Sequence, residues 1–126
     1  MSPNPVRWFE IYVQDMNRAK KFYESVFEAK LERLNSPEHP ELEMWSFPMQ
    51  MNAPGSAGAL VRMQGVPSGG NSTLVYFGCD NCAVEEARVV KSGGKIHKNK
   101  MSIGQHGFIS LVYDTEGNMF GLHSME

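Results

Sequence analysis

Residues 8–27 read Trp8-Phe9-Glu10-Ile11-Tyr12-Val13-Gln14-Asp15-Met16-Asn17-Arg18-Ala19-Lys20-Lys21-Phe22-Tyr23-Glu24-Ser25-Val26-Phe27. Two periodicities meet in this stretch. From Val6 to Val13 the residues alternate, with Phe9, Ile11 and Val13 on one side and Trp8, Glu10 and Tyr12 on the other. That is the period of a strand with two different faces. From Met16 onward the apolar positions change to helical spacing: Met16, Ala19, Phe22, Tyr23, Val26 and Phe27. Asp15 stands where a short side-chain acceptor caps a helix N-terminus. The pattern predicts that Phe22, Tyr23, Val26 and Phe27 are mostly buried, together with Phe9 and Ile11.

Working outward, residues 30–34, 42–47 and 57–63 read as strands. Ser36-Pro-Glu-His-Pro40 forms a loop, and Pro48, Pro54 and Gly55 punctuate the later gap. Residues 65–72 are a Gly/Ser/Pro-rich connection. The second half repeats the order. Residues 73–79 are a strand and Asp80 opens a helix with the stripe Ala83, Val84, Ala87 and Val90, which Gly93-Gly94 stops. Ile96 lies in a strand, residues 108–113 in another, Asp114-Thr-Glu-Gly-Asn118 is a hairpin loop, and residues 119–124 are the last strand. Asp15 and Asp80 share their offset with Lys30 and Lys95, and Leu31 aligns with Ile96. After a one-residue slip, Phe9, Ile11 and Val13 match Val75, Phe77 and Cys79. The reading is α+β: a single domain over 1–126, built of two βαβββ modules at about 1–64 and 72–126, each with a helix on the outer face of its sheet.

Composition fits one ordinary globular domain. The chain has 126 residues, 41% hydrophobic and 21% charged, enough for a core without disulfides or a structural metal. The formal net charge is −2, and the one dense basic stretch, Lys95-Ile-His-Lys-Asn-Lys100, reads as a solvated strand edge rather than a nucleic-acid surface. No apolar run approaches a membrane span, and the opening residues lack a signal-peptide core. With two cysteines, the expected location is the reducing cytoplasm, without membrane or nucleic-acid partners.

The stretch Trp8–Phe27, with its strand, Asp, Arg-Ala and Phe-Tyr, resembles the opening of the vicinal oxygen chelate superfamily, which contains glyoxalase I, bleomycin-resistance proteins and extradiol dioxygenases. Asp114-Thr-Glu-Gly-Asn118 resembles that group's terminal hairpin. The resemblance implies paired βαβββ modules curling around a ligand cavity, and commonly a homodimer. It does not fix a reaction, because one scaffold hosts many functions.

Enzymes of the group usually hold a divalent metal with four side chains, typically His, Glu and Gln. Carried over by resemblance, those positions are Trp8, Leu60 or Val61, Leu74 and Gly121, none of which coordinates a metal through its side chain. No cofactor is therefore expected. A register error of one residue would bring Glu10, His106 and His123 into consideration as ligands.

Three further constellations stand out. Cys79-Asp-Asn-Cys82 has thiol-redox spacing at a strand-to-helix junction, but Cys79 continues a buried alternation and the Gly/Pro setting of redox motifs is missing. Gly104-Gln-His-Gly107 is a Gly-flanked turn carrying His106. Trp45, Phe47, Met44, Met49 and Met51 form an apolar run suited to core, dimer contact or cavity lining.

Trp8, Glu10 and Tyr12 put one acid between two aromatics, the character of an apolar pocket with one orienting polar group. The expected function is binding of a small organic metabolite or toxin in an aromatic-lined cavity, without the usual metal. Trp8, Tyr12, Trp45, Leu74, Tyr76, His106, Met119 and Gly121 are the candidate ligand contacts. Glu10 and His123 are the candidate catalytic pair if the chain is instead a lyase or isomerase acting on an oxygenated small molecule. Gly121 is expected to leave room for ligand. A thiol-redox module using Cys79 and Cys82 is the remaining alternative.

Overall fold

The computed structural model describes residues 3–70, 72–115 and 117–126. Among them the order strand–helix–strand–strand–strand occurs twice, as α+β patterning predicts. The first set is β1 (Val6–Tyr12), α1 (Met16–Phe27), β2 (Glu32–Leu34), β3 (Glu43–Ser46) and β4 (Ala59–Arg62). The second is β5 (Thr73–Gly78), α2 (Cys82–Lys91), β6 (Lys95–Ser102), β7 (Phe108–Tyr113) and β8 (Met119–Ser124). The chain divides into two units. One is Trp8–Thr73; the other joins the segment ending at Arg7 to Leu74–Glu126.

In the first unit the strands lie in the order β2-β3-β4-β1, with β1 and β4 parallel and the other pairs antiparallel. The β1–β4 register sets Glu10 beside Ala59, Ile11 beside Leu60 and Tyr12 beside Val61. Helix α1 covers the Ile11 face. Met16, Leu31 and Leu60 are buried there, with Ile11, Val13, Ala19, Tyr23, Trp45 and Phe47 packed around them. Asp15 caps α1 as its position predicts, accepting from the Arg18 amide at 3.0 Å. The helix ends at Glu28, a non-glycine residue held in the left-handed region with φ 49°.

The expected burial of the whole α1 stripe is corrected here. Phe22 is 60% exposed, Val26 54% and Phe27 64%. Phe9 and Ile11 are half-buried. The physical reason is geometric. Met16, Ala19 and Tyr23 recur at i, i+3 and i+7 and meet the sheet, whereas Phe22, Val26 and Phe27 widen the stripe beyond what this unit's sheet covers. Phe22 still contacts Tyr23 edge-on at 5.2 Å between ring centroids, and Tyr23 in turn meets Phe47 at 5.7 Å.

In the second unit the order is β5-β8-β7-β6, again with one parallel pair, β5 and β8, and antiparallel neighbours. Helix α2 covers the face carrying Phe77, Phe120 and Leu122, and Cys82, Val112 and Leu122 form its buried centre. The helix begins one residue later than Asp80 predicts: Asn81 is the cap, its side chain accepting from the Ala83 amide at 3.0 Å. The Gly93-Gly94 stop holds, with Gly93 at φ 97° and the Gly94 amide donating to Val89 O at 2.9 Å. Asp114 closes the terminal hairpin by accepting from the Asn118 amide and side chain at 2.9 and 3.0 Å. The basic stretch lies on β6, at the edge of this unit's strand order, with Lys95 and Lys98 exposed.

Candidate functional site

The face of the first unit turned away from α1 carries Trp8, Glu10 and Tyr12, the row that strand alternation marks out. Register adds Ala59 and Val61 from β4, and Ser46 and Met44 from β3. Glu10 is only 8% exposed. Trp8 Nε1 donates to its Oε2 at 3.2 Å, and the Tyr12 hydroxyl donates to its Oε1 at 2.8 Å. The three side chains stand two residues apart on one strand, so the strand itself sets their spacing. The Tyr12 phenol is held well above its ordinary value, first by burial and then by the adjacent Glu10 carboxylate and its hydrogen bond. Tyr12 is thus a fixed donor and Glu10 a fixed acceptor, on a face that also carries Met44, Ser46, Ala59 and Val61.

Trp45 does not share this face. Its register partner is Leu60, so it packs on the α1 side. There Lys20 Nζ lies 3.2 Å from its ring centroid, and Trp45 Nε1 donates to Glu43 at 3.1 Å. A cleft of about 440 Å³ opens beside α1, bounded by Ile11, Arg18, Phe22, Tyr23 and the Ser68-Gly69 connection.

In the second unit, the face away from α2 carries Leu74, Tyr76, Met119, Gly121 and His123. Tyr76 pairs with Gly121, and Gly78 with His123. Leu74 and Tyr76 are buried. The room expected at Gly121 is taken: a Cβ there would lie 2.2 Å from Tyr76 Cδ2 and 2.4 Å from Cε2. The glycine admits the chain's own aromatic ring, which corrects the expectation of open ligand space. His123 Nε2 lies 2.7 Å from His106 O, while the His106 side chain is exposed. What the Gly-flanked turn brings to His123 is therefore a backbone carbonyl. Glu10 and His123 belong to different units, and each is placed within its own.

The two thiols are free. Cys82 is fully buried, and burial, then Glu85, pushes the Cys79 thiol up. A redox pair needs a depressed thiol, so this environment works against that alternative.

The residues do not fit a divalent metal of the kind the resemblance implies. Among the described residues no group of three or more His, Cys, Asp or Glu is placed to hold one. At position 121 the space a coordinating side chain needs is filled by Tyr76. Sequence reasoning missed this stack and also missed Arg7, whose side chain lies where a side chain at Gly78 would be. The signal available was only that glycines stand at both strand positions.

A glyoxylase-like domain-containing protein of Didymella fabae is 30% identical over 114 residues, covering 86% of this chain and 84% of that one. Among solved structures, a variant of the Streptomyces coelicolor methylmalonyl-CoA epimerase in complex with 2-nitronate-propionyl-CoA is similar with a TM-score of 0.71 at 15% identity, covering 98% of each chain. Methylmalonyl-CoA epimerase from Mycobacterium tuberculosis is similar with a TM-score of 0.70 at 10% identity, covering 100% of this chain and 93% of that one. At such identities these structures show the fold. The sequence profile of the Glyoxalase/Bleomycin resistance protein/Dioxygenase superfamily matches residues 6–122, and the chain belongs to that superfamily.

Proposed function

We propose that this protein binds a small organic molecule against the Trp8–Glu10–Tyr12 row and needs no resident divalent metal to do so. The observation that carries the reading is the buried Glu10 carboxylate, fixed by Trp8 and Tyr12 donors on a largely apolar face. Such a face supplies stacking and apolar contact from the rings and one oriented acceptor for a ligand hydroxyl or amide. The methylmalonyl-CoA epimerases that share the fold include complexes with CoA thioesters. Acyl thioesters and other oxygenated metabolites are therefore the first compounds to screen.

The reading includes a homodimer in the cytoplasm. Exposed Met49 and Met51, with Phe22 and Phe27, supply apolar surface for a dimer, and the two free thiols suit a reducing compartment. Sedimentation at micromolar concentration tests the dimer, and a monomer there removes it.

Native mass spectrometry and metal analysis on one purified sample test the central claim. The expected result is a small organic ligand bound with substoichiometric divalent metal, and Glu10→Gln folding normally but losing that ligand. One-to-one metal held by protein side chains on this face overturns the reading. So does a Glu10→Gln variant that retains the ligand as the parent does.

A further inference from the structure

Gly78 closes β5, and its register partner on β8 is His123. Register partners in a parallel pair point to the same face, about 4.8 Å apart. A side chain at position 78 would therefore stand beside His123, but that space is held by Arg7. A Cβ built on Gly78 would lie 2.0 Å from Arg7 Nε and 2.5 Å from its Cδ and Cζ. The Gly78 amide donates to Pro5 O at 2.8 Å, which anchors the segment leading into Arg7. The guanidinium is thereby laid across the end of β5, next to the position of His123. Arg7 is exposed at the surface.

His123 supplies the complementary half. Its Nε2 meets the His106 carbonyl at 2.7 Å, and a carbonyl only accepts, so Nε2 carries the proton. In the neutral ring Nδ1 is then a lone pair, and it is buried with no partner. The turn that delivers the carbonyl depends on Gly107, at φ 99°, where a Cβ would lie 2.4 Å from Ser124 O. The local structure thus fixes the tautomer and leaves a buried acceptor on the residue paired with Gly78, over which the Arg7 side chain lies.

We propose that Arg7 and His123 form a subsite for a 2-hydroxycarboxylate. The carboxylate takes the planar guanidinium fork of Arg7, and the neighbouring hydroxyl donates to His123 Nδ1. Arg is suited to bidentate carboxylate recognition. A plain carboxylate leaves the buried lone pair unsatisfied, and an uncharged hydroxyl compound leaves Arg7 unused. The subsite lies within the second unit and makes no use of the Glu10 row, so it stands or falls separately from the proposed function.

The test is an NMR titration of the full chain with lactate, propionate and lactamide as probes, following the His123 ring nitrogens and Arg7 Nε. Lactate is expected to give saturable shifts at both residues and to bind at least about tenfold more tightly than either control. Arg7→Ala is expected to abolish that preference. Gly78→Ala is expected to do the same by displacing the Arg7 side chain without removing its charge. His123→Gln keeps a donor toward the His106 carbonyl but has no acceptor at the Nδ1 position, and should bind lactate no better than propionate. His123→Asn should retain part of the preference. If Gly78→Ala does not fold, the exposed Arg7→Ala change decides. No saturable shift with lactate, equal affinity for lactate and propionate, or an Arg7→Ala variant that keeps the preference overturns the proposal.

Discussion

Gly121→Ala isolates the packing of Tyr76 on β8. The added methyl would meet three ring atoms of Tyr76 at 2.2, 2.4 and 2.9 Å, all inside the closest approach real Cβ atoms make. Tyr76 is 5% exposed, so its ring cannot swing into solvent to make room. Gly121 is not in the left-handed region, so alanine brings no backbone strain and the effect is one of packing alone. Overpacking of this kind costs about 1–3 kcal/mol, and the clash with several buried ring atoms points to the upper half of that range. Replacing glycine also lowers the entropy of the unfolded chain, which offsets about 0.4–1 kcal/mol. The net expectation is a loss of about 1–2.5 kcal/mol, read as a lower urea midpoint at unchanged m-value. Tyr76→Ala alone should cost about 3 kcal/mol or more as a large-to-small change. In the double variant the alanine methyl partly fills the space the ring vacated. The double variant should therefore be more stable than additivity predicts by at least about 1 kcal/mol. A Gly121→Ala protein within about 0.3 kcal/mol of the parent, or strict additivity in the cycle, would refute the stacked geometry. It would also restore the space beside β8 as room for a ligand.

Phe22→Ala should cost only about 1 kcal/mol because the ring is 60% exposed, whereas Leu60→Ala, at a fully buried position, should cost about 3–4 kcal/mol in the same unfolding assay. Glu28→Gly should stabilise the protein by about 0.5–1 kcal/mol, seen as a small rise in Tm, by relieving a non-glycine residue at φ 49°. Because the folded Tyr12 phenol is raised above its ordinary value of about 10, the stability it contributes is complete below that pH and is lost as pH rises beyond it. Tyr12→Phe should therefore lower stability at neutral pH, through the lost bond to Glu10, yet show a shallower alkaline decline in urea titrations at pH 8 to 11. Cys79, pushed up by burial, should react with a disulfide reagent at neutral pH more slowly than a free thiol, and buried Cys82 should react only on unfolding; rapid labelling of both in the native protein would contradict this placement.

What was legible in the sequence depended on how local each signal was. The change from period two to helical spacing across Gln14-Asp15 identifies β1 and α1 because both patterns and the cap lie within twenty residues. The same locality makes the Trp8–Glu10–Tyr12 row readable: side chains two apart on one strand must share a face, and their hydrogen bonds follow from that spacing. Periodicity could not say how wide a helical stripe the sheet would cover, so Phe22 and Val26 looked like core. Nor could it assign Trp45, whose strand is four residues long and carries apolar groups on both faces; its side was decided by pairing with Leu60 on β4. The least legible features were the two glycines. Gly121 and Gly78 read as missing side chains, hence as space, whereas in the fold each marks where a side chain from a distant part of the sequence arrives: Tyr76 over one and Arg7 over the other. A glycine facing a prospective site is therefore ambiguous until its neighbour is known. At position 121 the neighbour fills the place a metal-binding side chain would occupy. At position 78 it delivers a cation beside a histidine with an unused acceptor. In the second unit each missing side chain is thus answered by one from elsewhere in the sequence, which leaves no open space at Gly121 or Gly78.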